Sequence, residues 1–165
     1  MHRSYKEFLL YFRQRKTLSE HDVVIGAYFT YGWIPTILGL RGELSAVVAI
    51  ANEVRAGHPV TERKIKVVAL AINGSVVGAS KVLHFIDPER HAIWDSRVHR
   101  YLHRQPPYQY RLEAPAAYPE YLKCLEDPAK DDRFAATRAQ VEQVVGYAVT
   151  DKRAAELVMY HNGQK

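Results

Sequence analysis

The stretch GSVVGASKVLHFIDPERHAIWDSRVHRYL, Gly74 to Leu102, decides the fold. It reads as a Gly-bearing turn, a short apolar helix with Lys81 near its start, a loop containing Pro88, and a basic helix opened by Asp95. Gly74 and Gly78 flank the turn, where glycine lets a backbone approach a phosphate and helix N-terminal amides stand free. Asp95 takes the orphan amides of the next helix and is held ionised by the helix dipole. A lysine and an aspartate brought together in this way are what an enzyme uses on a cationic sugar carbon. A desolvated Lys81 amine attacks, and the Asp95 carboxylate stabilises the charge or orients a water. The same two residues also read as an exposed lysine and an ordinary N-cap.

Outward from this stretch, apolar residues recur at helical spacing almost throughout, and strand signals are nearly absent. Tyr5, Phe8, Leu9 and Phe12 mark a first helix. Ser19 caps a second, through Val23, Val24, Ala27 and Tyr28, interrupted by Gly32 and Pro35. Leu44 to Val54 form a third, and Thr61 caps a fourth through Ile65, Val68 and Leu70 that stops at Asn73-Gly74. Val77–Ile86 and Asp95–His103 follow, then Pro115–Glu126, Asp131–Tyr147 and Thr150–His161, the last capped by Thr150. Gln105–Ala117, rich in Pro and Tyr, is the longest expected loop, and its tyrosines pack on the domain or line a groove. Short helices with short connections predict one all-α domain over residues 1–165.

The 165 residues suffice to bury a core without disulfides. Hydrophobic content of 47% and charged content of 25% are those of a globular protein. No apolar run approaches a membrane span, and the N-terminal MHRSYKEFLLYFRQRK reads as an amphipathic helix rather than a signal peptide. The single cysteine, Cys124, sits mid-helix among apolar neighbours and reads as a small buried hydrophobe. It excludes a disulfide framework and an iron–sulfur ligand set. A cytoplasmic location without membrane contact is expected. The net charge of +5 and pI near 9.3 favour a polyanionic partner. Arg90, Arg97, Arg100, Arg104 and Arg111 crowd one third of the chain, together with Trp94, Tyr101, Tyr108 and Tyr110.

Gly78-Ala79-Ser80-Lys81-Val82 resembles the end of the hairpin of the helix-hairpin-helix DNA glycosylases, and Ala92-Ile93-Trp94-Asp95-Ser96-Arg97-Val98 resembles their catalytic aspartate segment. The closest branch is the 8-oxoguanine glycosylase-like one. The resemblance covers roughly thirty residues and implies a helix-hairpin-helix-like element over about 61–104. It implies Lys81 as Schiff-base nucleophile and Asp95 as catalytic carboxylate. Gly74, Ser75, Gly78 and Ser80 would bind the DNA backbone, with Arg97, Arg100 and Arg104 on phosphates. Trp94, Tyr28 and Trp33 would wall a pocket for a flipped base, although core packing also accounts for them.

A competing constellation is Asp95, His99 and His103, which recur every four residues on one helix face. A pair of them with a further ligand from elsewhere would hold a divalent metal, whereas a solvent-facing helix whose histidines meet phosphates needs none, and no metal is expected. No Walker loop, dinucleotide fingerprint, GxSxG or HExxH is present. The reading is a glycosylase-like protein that binds duplex DNA, or another nucleic acid, and removes a damaged base without a cofactor. The alternative keeps the fold and loses the chemistry: a nucleic-acid-binding or interaction module, a partner in repair or phage defence.

Overall fold

Ser19 and Asp22 start the second helix by bonding each other's backbone. The Asp22 amide donates to Ser19 Oγ (3.4 Å) and the Ser19 amide to Asp22 Oδ2 (2.9 Å), a capping box that satisfies two groups the helix leaves orphaned. Arg15 and Tyr11 also donate to the carboxylate. Burial alone would raise its pKa, but these hydrogen bonds hold it well below the usual carboxylate range. Thr61 and Thr150 cap later helices as their sequence positions predict, each accepting an amide proton three residues on.

The computed structural model describes residues 2–32, 37–126 and 134–164. Within them the chain forms ten helices: α1 (His2–Arg13), α2 (Glu20–Tyr31), α3 (Ser45–Arg55), α4 (Glu62–Ala71), α5 (Val76–Ile86), α6 (Ser96–His103), α7 (Gln109–Leu112), α8 (Ala117–Cys124), α9 (Phe134–Val145) and α10 (Asp151–Asn162). Among the described residues there is no β-strand, and none of the helices is long and apolar enough to cross a membrane. The all-α expectation holds.

Helix α5 is the hub, in contact with α1, α2, α3 and α4. Its sequence VVGASKVLHFI is apolar nearly all round, the pattern of an interior helix, and all its residues are buried except Val77 and Lys81. Burying Val82, Leu83 and Phe85 contributes about 1.5–3 kcal/mol each. Val77 and Lys81 stand one turn apart, so the only open side of α5 is the one that carries the lysine.

A tight turn joins α4 to α5. Asn73 and Gly74 both have positive φ (54° and 70°), and the Ser75 amide donates to Ile72 O (2.9 Å), the pattern of a type I′ turn. Asn73 also lashes an incoming segment to the turn, accepting from the Gly39 amide and donating to Ile37 O. A second layer forms where α6 packs on α10 and α10 on α9.

Some expectations change. The loop expected over Gln105–Ala117 contains α7. Leu70, expected on the apolar face of α4, is 60% exposed. Cys124 is exposed rather than buried, because the buried face of α8 is set by Tyr118, Tyr121 and Leu125, and Cys124 falls off that stripe. The predicted start of the next helix, Asp131, lies outside the described residues, as do Trp33 and Pro35.

Candidate active site

Residues 91–94 run into Asp95 buried and without regular secondary structure. Four successive carbonyls therefore need partners from elsewhere. Side chains of α5 and α8 provide them. His84 Nδ1 lies 2.7 Å from His91 O, Tyr118 donates to Ala92 O (3.2 Å), and Tyr121 donates to Ile93 O (3.2 Å). Ser80 Oγ accepts from the Trp94 amide (3.0 Å) and donates to Trp94 O (3.3 Å) as well as to Val77 O. A carbonyl only accepts, so His84 carries its proton on Nδ1, and Nε2 accepts from Tyr5 (2.8 Å). Burial first, then the nearby Arg153 charge, push the His84 pKa down to about 3, which keeps it neutral and in this role.

This stitching delivers Asp95 to the start of α6. The Arg97 and Val98 amides donate to its Oδ1 at 2.9 and 3.0 Å, so the cap uses one oxygen, and Oδ2 takes no hydrogen bond among the described residues. Asp95 and Lys81 line one cavity of about 450 Å³, together with Tyr31, Gly74, Ser75 and Glu113. Burial pushes the Lys81 amine below the ordinary lysine value; the negative charges of Asp95 and Glu156 draw it back up.

A buried ion pair from the C-terminal helix, Arg153 with Glu156, acts on the Lys81 charge. The guanidinium carbon of Arg153 sits 5.0 Å from the centre of the Tyr5 ring. Burial raises the Glu156 pKa to about 7 despite its partner. Neither residue lines the cavity. Their charges reach Lys81, and the Asp95 charge adds to the rise at Glu156.

Of the residues expected to grip DNA, Gly78 and Ser80 are buried, Ser75, Arg97 and Arg100 half-buried, and Gly74 and Arg104 exposed. Ser75 caps α5, accepting from the Gly78 amide (3.0 Å) and donating to Glu113 Oε1 (3.2 Å). The Val76 amide donates to the other oxygen of Glu113. The anion at this helix N-terminus is thus internal. Gly78 is a packing residue: a Cβ there would stand 2.9 Å from the Tyr31 hydroxyl and 3.2 Å from Ile72 Cγ2. Gly74 does line the cavity, at its positive-φ turn. Ser80 is fully buried in the stitching described above.

The guanidinium of Arg97 stacks 4.5 Å from the Tyr160 ring, and Arg100 donates to Gly163 O (3.0 Å). Both tie α6 to α10. Arg104 is exposed at the left-handed C-cap of α6. Trp94 is 0% exposed, its indole N–H donating to Leu112 O (3.1 Å); it anchors the core beneath α7 and does not line the cavity. Tyr28 is 56% exposed and does not line it either. Tyr31, one helical turn on, does, and Trp33 lies outside the described residues.

Sequence reasoning missed Glu113, Arg153 and Glu156, which come from segments distant along the chain, with no local signal. Tyr31 belongs to the same aromatic run as Tyr28 and Trp33.

His99, expected to face solvent, is buried between Trp94 and His103, with ring centroids 5.7 and 4.6 Å away. Burial, then His103, lower its pKa. Among the described residues no three His, Cys, Asp or Glu side chains come together as metal ligands. No protein-family model, curated protein or solved structure matches the chain.

Proposed function

We propose that this protein is a glycosylase of the helix-hairpin-helix type that acts at the C1′ of a nucleotide, with α4, the Asn73-Gly74 turn and α5 as its hairpin. The observation that carries the reading is the cavity shared by Lys81 and Asp95. A partly desolvated amine and a capped carboxylate facing one hollow of about 450 Å³ suit a sugar with a base attached. A cavity filled by side chains would have favoured a binding module instead.

In this mechanism the neutral Lys81 amine donates its lone pair to C1′ as the C1′–N bond breaks. The base leaves with the bonding electrons and acquires a proton. Asp95 stabilises the positive charge that builds on the sugar before the new bond is complete. Loss of a proton from the attacking nitrogen and opening of the sugar ring yield a Schiff base. Removal of a C2′ proton then expels the 3′ phosphate by β-elimination. Burial of Lys81 favours the first step, because only the unprotonated amine attacks.

The test is borohydride trapping on a panel of damaged-base and abasic strands, both single and paired, comparing wild type with Lys81→Ala and Asp95→Asn. A covalent adduct formed by wild type and lost in Lys81→Ala is expected. Absence of both adduct and base release across the panel would sink the reading. One observation favours a second reading, an interaction module without chemistry: Glu113 occupies the α5 amides that a DNA phosphate would need. Salt-sensitive binding without any trapping is its signature.

A further inference from the structure

Glu113 is seated on the α5 amides and Arg97 and Arg100 are tied to α10, so of the groups expected to meet phosphates the exposed Arg104 alone is not held by these contacts. Helix α7 offers a further source of nucleic-acid affinity. Tyr108 and Tyr110 are 54% and 69% exposed. Their rings lie nearly parallel, 15° apart in plane and 5.9 Å between centroids. The Arg111 guanidinium carbon stands 5.3 Å from one ring centre and 5.4 Å from the other. Its nitrogens donate to the Tyr110 hydroxyl (3.0 Å) and to Pro106 O (3.2 Å), which fixes its orientation.

This cluster belongs to a segment that also borders the Lys81–Asp95 cavity. The next two residues anchor it: Leu112 O takes the Trp94 indole proton, and Glu113 takes the Val76 amide and the Ser75 hydroxyl. Gln109, Leu112 and Glu113 line the cavity, while both tyrosines project to solvent. An exposed pair of aromatic rings with a cation against both is poorly explained by packing. It has the composition of a platform on which successive bases stack while the guanidinium neutralises the backbone.

We infer that the Tyr108–Arg111–Tyr110 ledge binds unpaired bases of a nucleic acid strand whose sugar enters the neighbouring cavity. The substrate is therefore single-stranded or locally unpaired, since bases inside an intact duplex offer no free faces to stack on. Charge complementarity supports a nucleic acid as occupant: the chain carries +5, and Arg104 and Arg111 lie within the same short segment. The inference rests on the glycosylase reading for the location of the reacting sugar. Its test measures binding alone, so the two fail separately.

The probes are fluorescein-labelled oligothymidylate, the same strand paired with oligoadenylate, and that duplex with a central unpaired thymine run, read by anisotropy at two salt concentrations. Wild type should bind the first and third more tightly than the second. The double variant Tyr108→Ala/Tyr110→Ala should lose at least about tenfold in affinity for unpaired strands and little for the duplex. Both rings are exposed, so its thermal unfolding should match wild type. Equal or tighter binding of the paired duplex by wild type would overturn the inference, as would unchanged single-strand affinity in the variant or no binding to any probe. Trapping that fails while ledge-dependent binding persists would remove the chemistry and leave the ledge standing.

Discussion

Glu113 accepts a hydrogen bond from the backbone amide of Val76, the first residue of α5. A carboxylate from one segment thereby caps a helix that begins far from it in sequence and supplies the anion at that helix's N-terminus. Replacing it with glutamine keeps the shape and removes the charge. Glu113→Gln should lower stability by about 1–2 kcal/mol, measured by urea unfolding at neutral pH. An unchanged midpoint would mean that the contact contributes nothing.

The lowered pKa of Lys81 has a definite sign in stability. Its folded value lies below the ordinary 10.5, so between the two the unfolded chain binds more protons and stability rises with pH. Below both values the burial cost is fully present. Lys81→Met removes this contribution. Melting temperature plotted from neutral pH toward 10.5 should therefore climb more steeply, or fall less, in wild type than in Lys81→Met. Parallel curves would show that the amine is not desolvated.

At acid pH two opposing groups compete. His84 and His91 have folded values of about 3 and 4 against an ordinary 6.5, in each case chiefly through burial. Their stabilising contribution is lost as pH falls below 6.5. Glu156, raised by burial from 4.5 to about 7, acts in reverse, since in that window the folded state binds the extra proton. Glu156→Gln removes the compensation. Its loss of stability between pH 6.5 and 4.5 should be steeper than wild type's, by an amount of order 1 kcal/mol or more. A shallower slope would contradict the assigned direction.

Gly163, just after α10, has no room for a side chain: a Cβ there would stand 2.0 Å from Arg97 O of α6. The obstacle is backbone, so the helix end must move. Gly163→Ala should cost about 1–3 kcal/mol and disturb the element that Asp95 caps. Under the glycosylase reading it should also slow trapping without touching either reactive residue. Wild-type stability with wild-type trapping would show that this contact does not hold α6 in place.

The helices themselves were legible because their signals are local. Ser19, Thr61, Asp95 and Thr150 each sit one position before an apolar period of helical spacing, and each caps the helix it announces. Cys124 was misread because a run of apolar neighbours in sequence does not say which side of the helix is covered. Ser80 and Gly78 were misread in a different way. Small residues near a turn suit both a phosphate and a close-packed interior, and only their neighbours distinguish the two.

By itself, then, the sequence determined an all-α chain, its principal caps, and the presence of a lysine and an aspartate on consecutive helices. Those are consequences of periodicity and of orphaned backbone groups, which act over a few residues. The tertiary structure alone decided that both side chains face one cavity and that Tyr31 and Glu113 line it. It also decided that Arg153 and Glu156 are buried as a pair and that the α7 segment leaves its tyrosines in solvent. The reason is physical: burial and the pairing of distant polar groups depend on how helices pack, and no local pattern encodes which carboxylate will meet which amide.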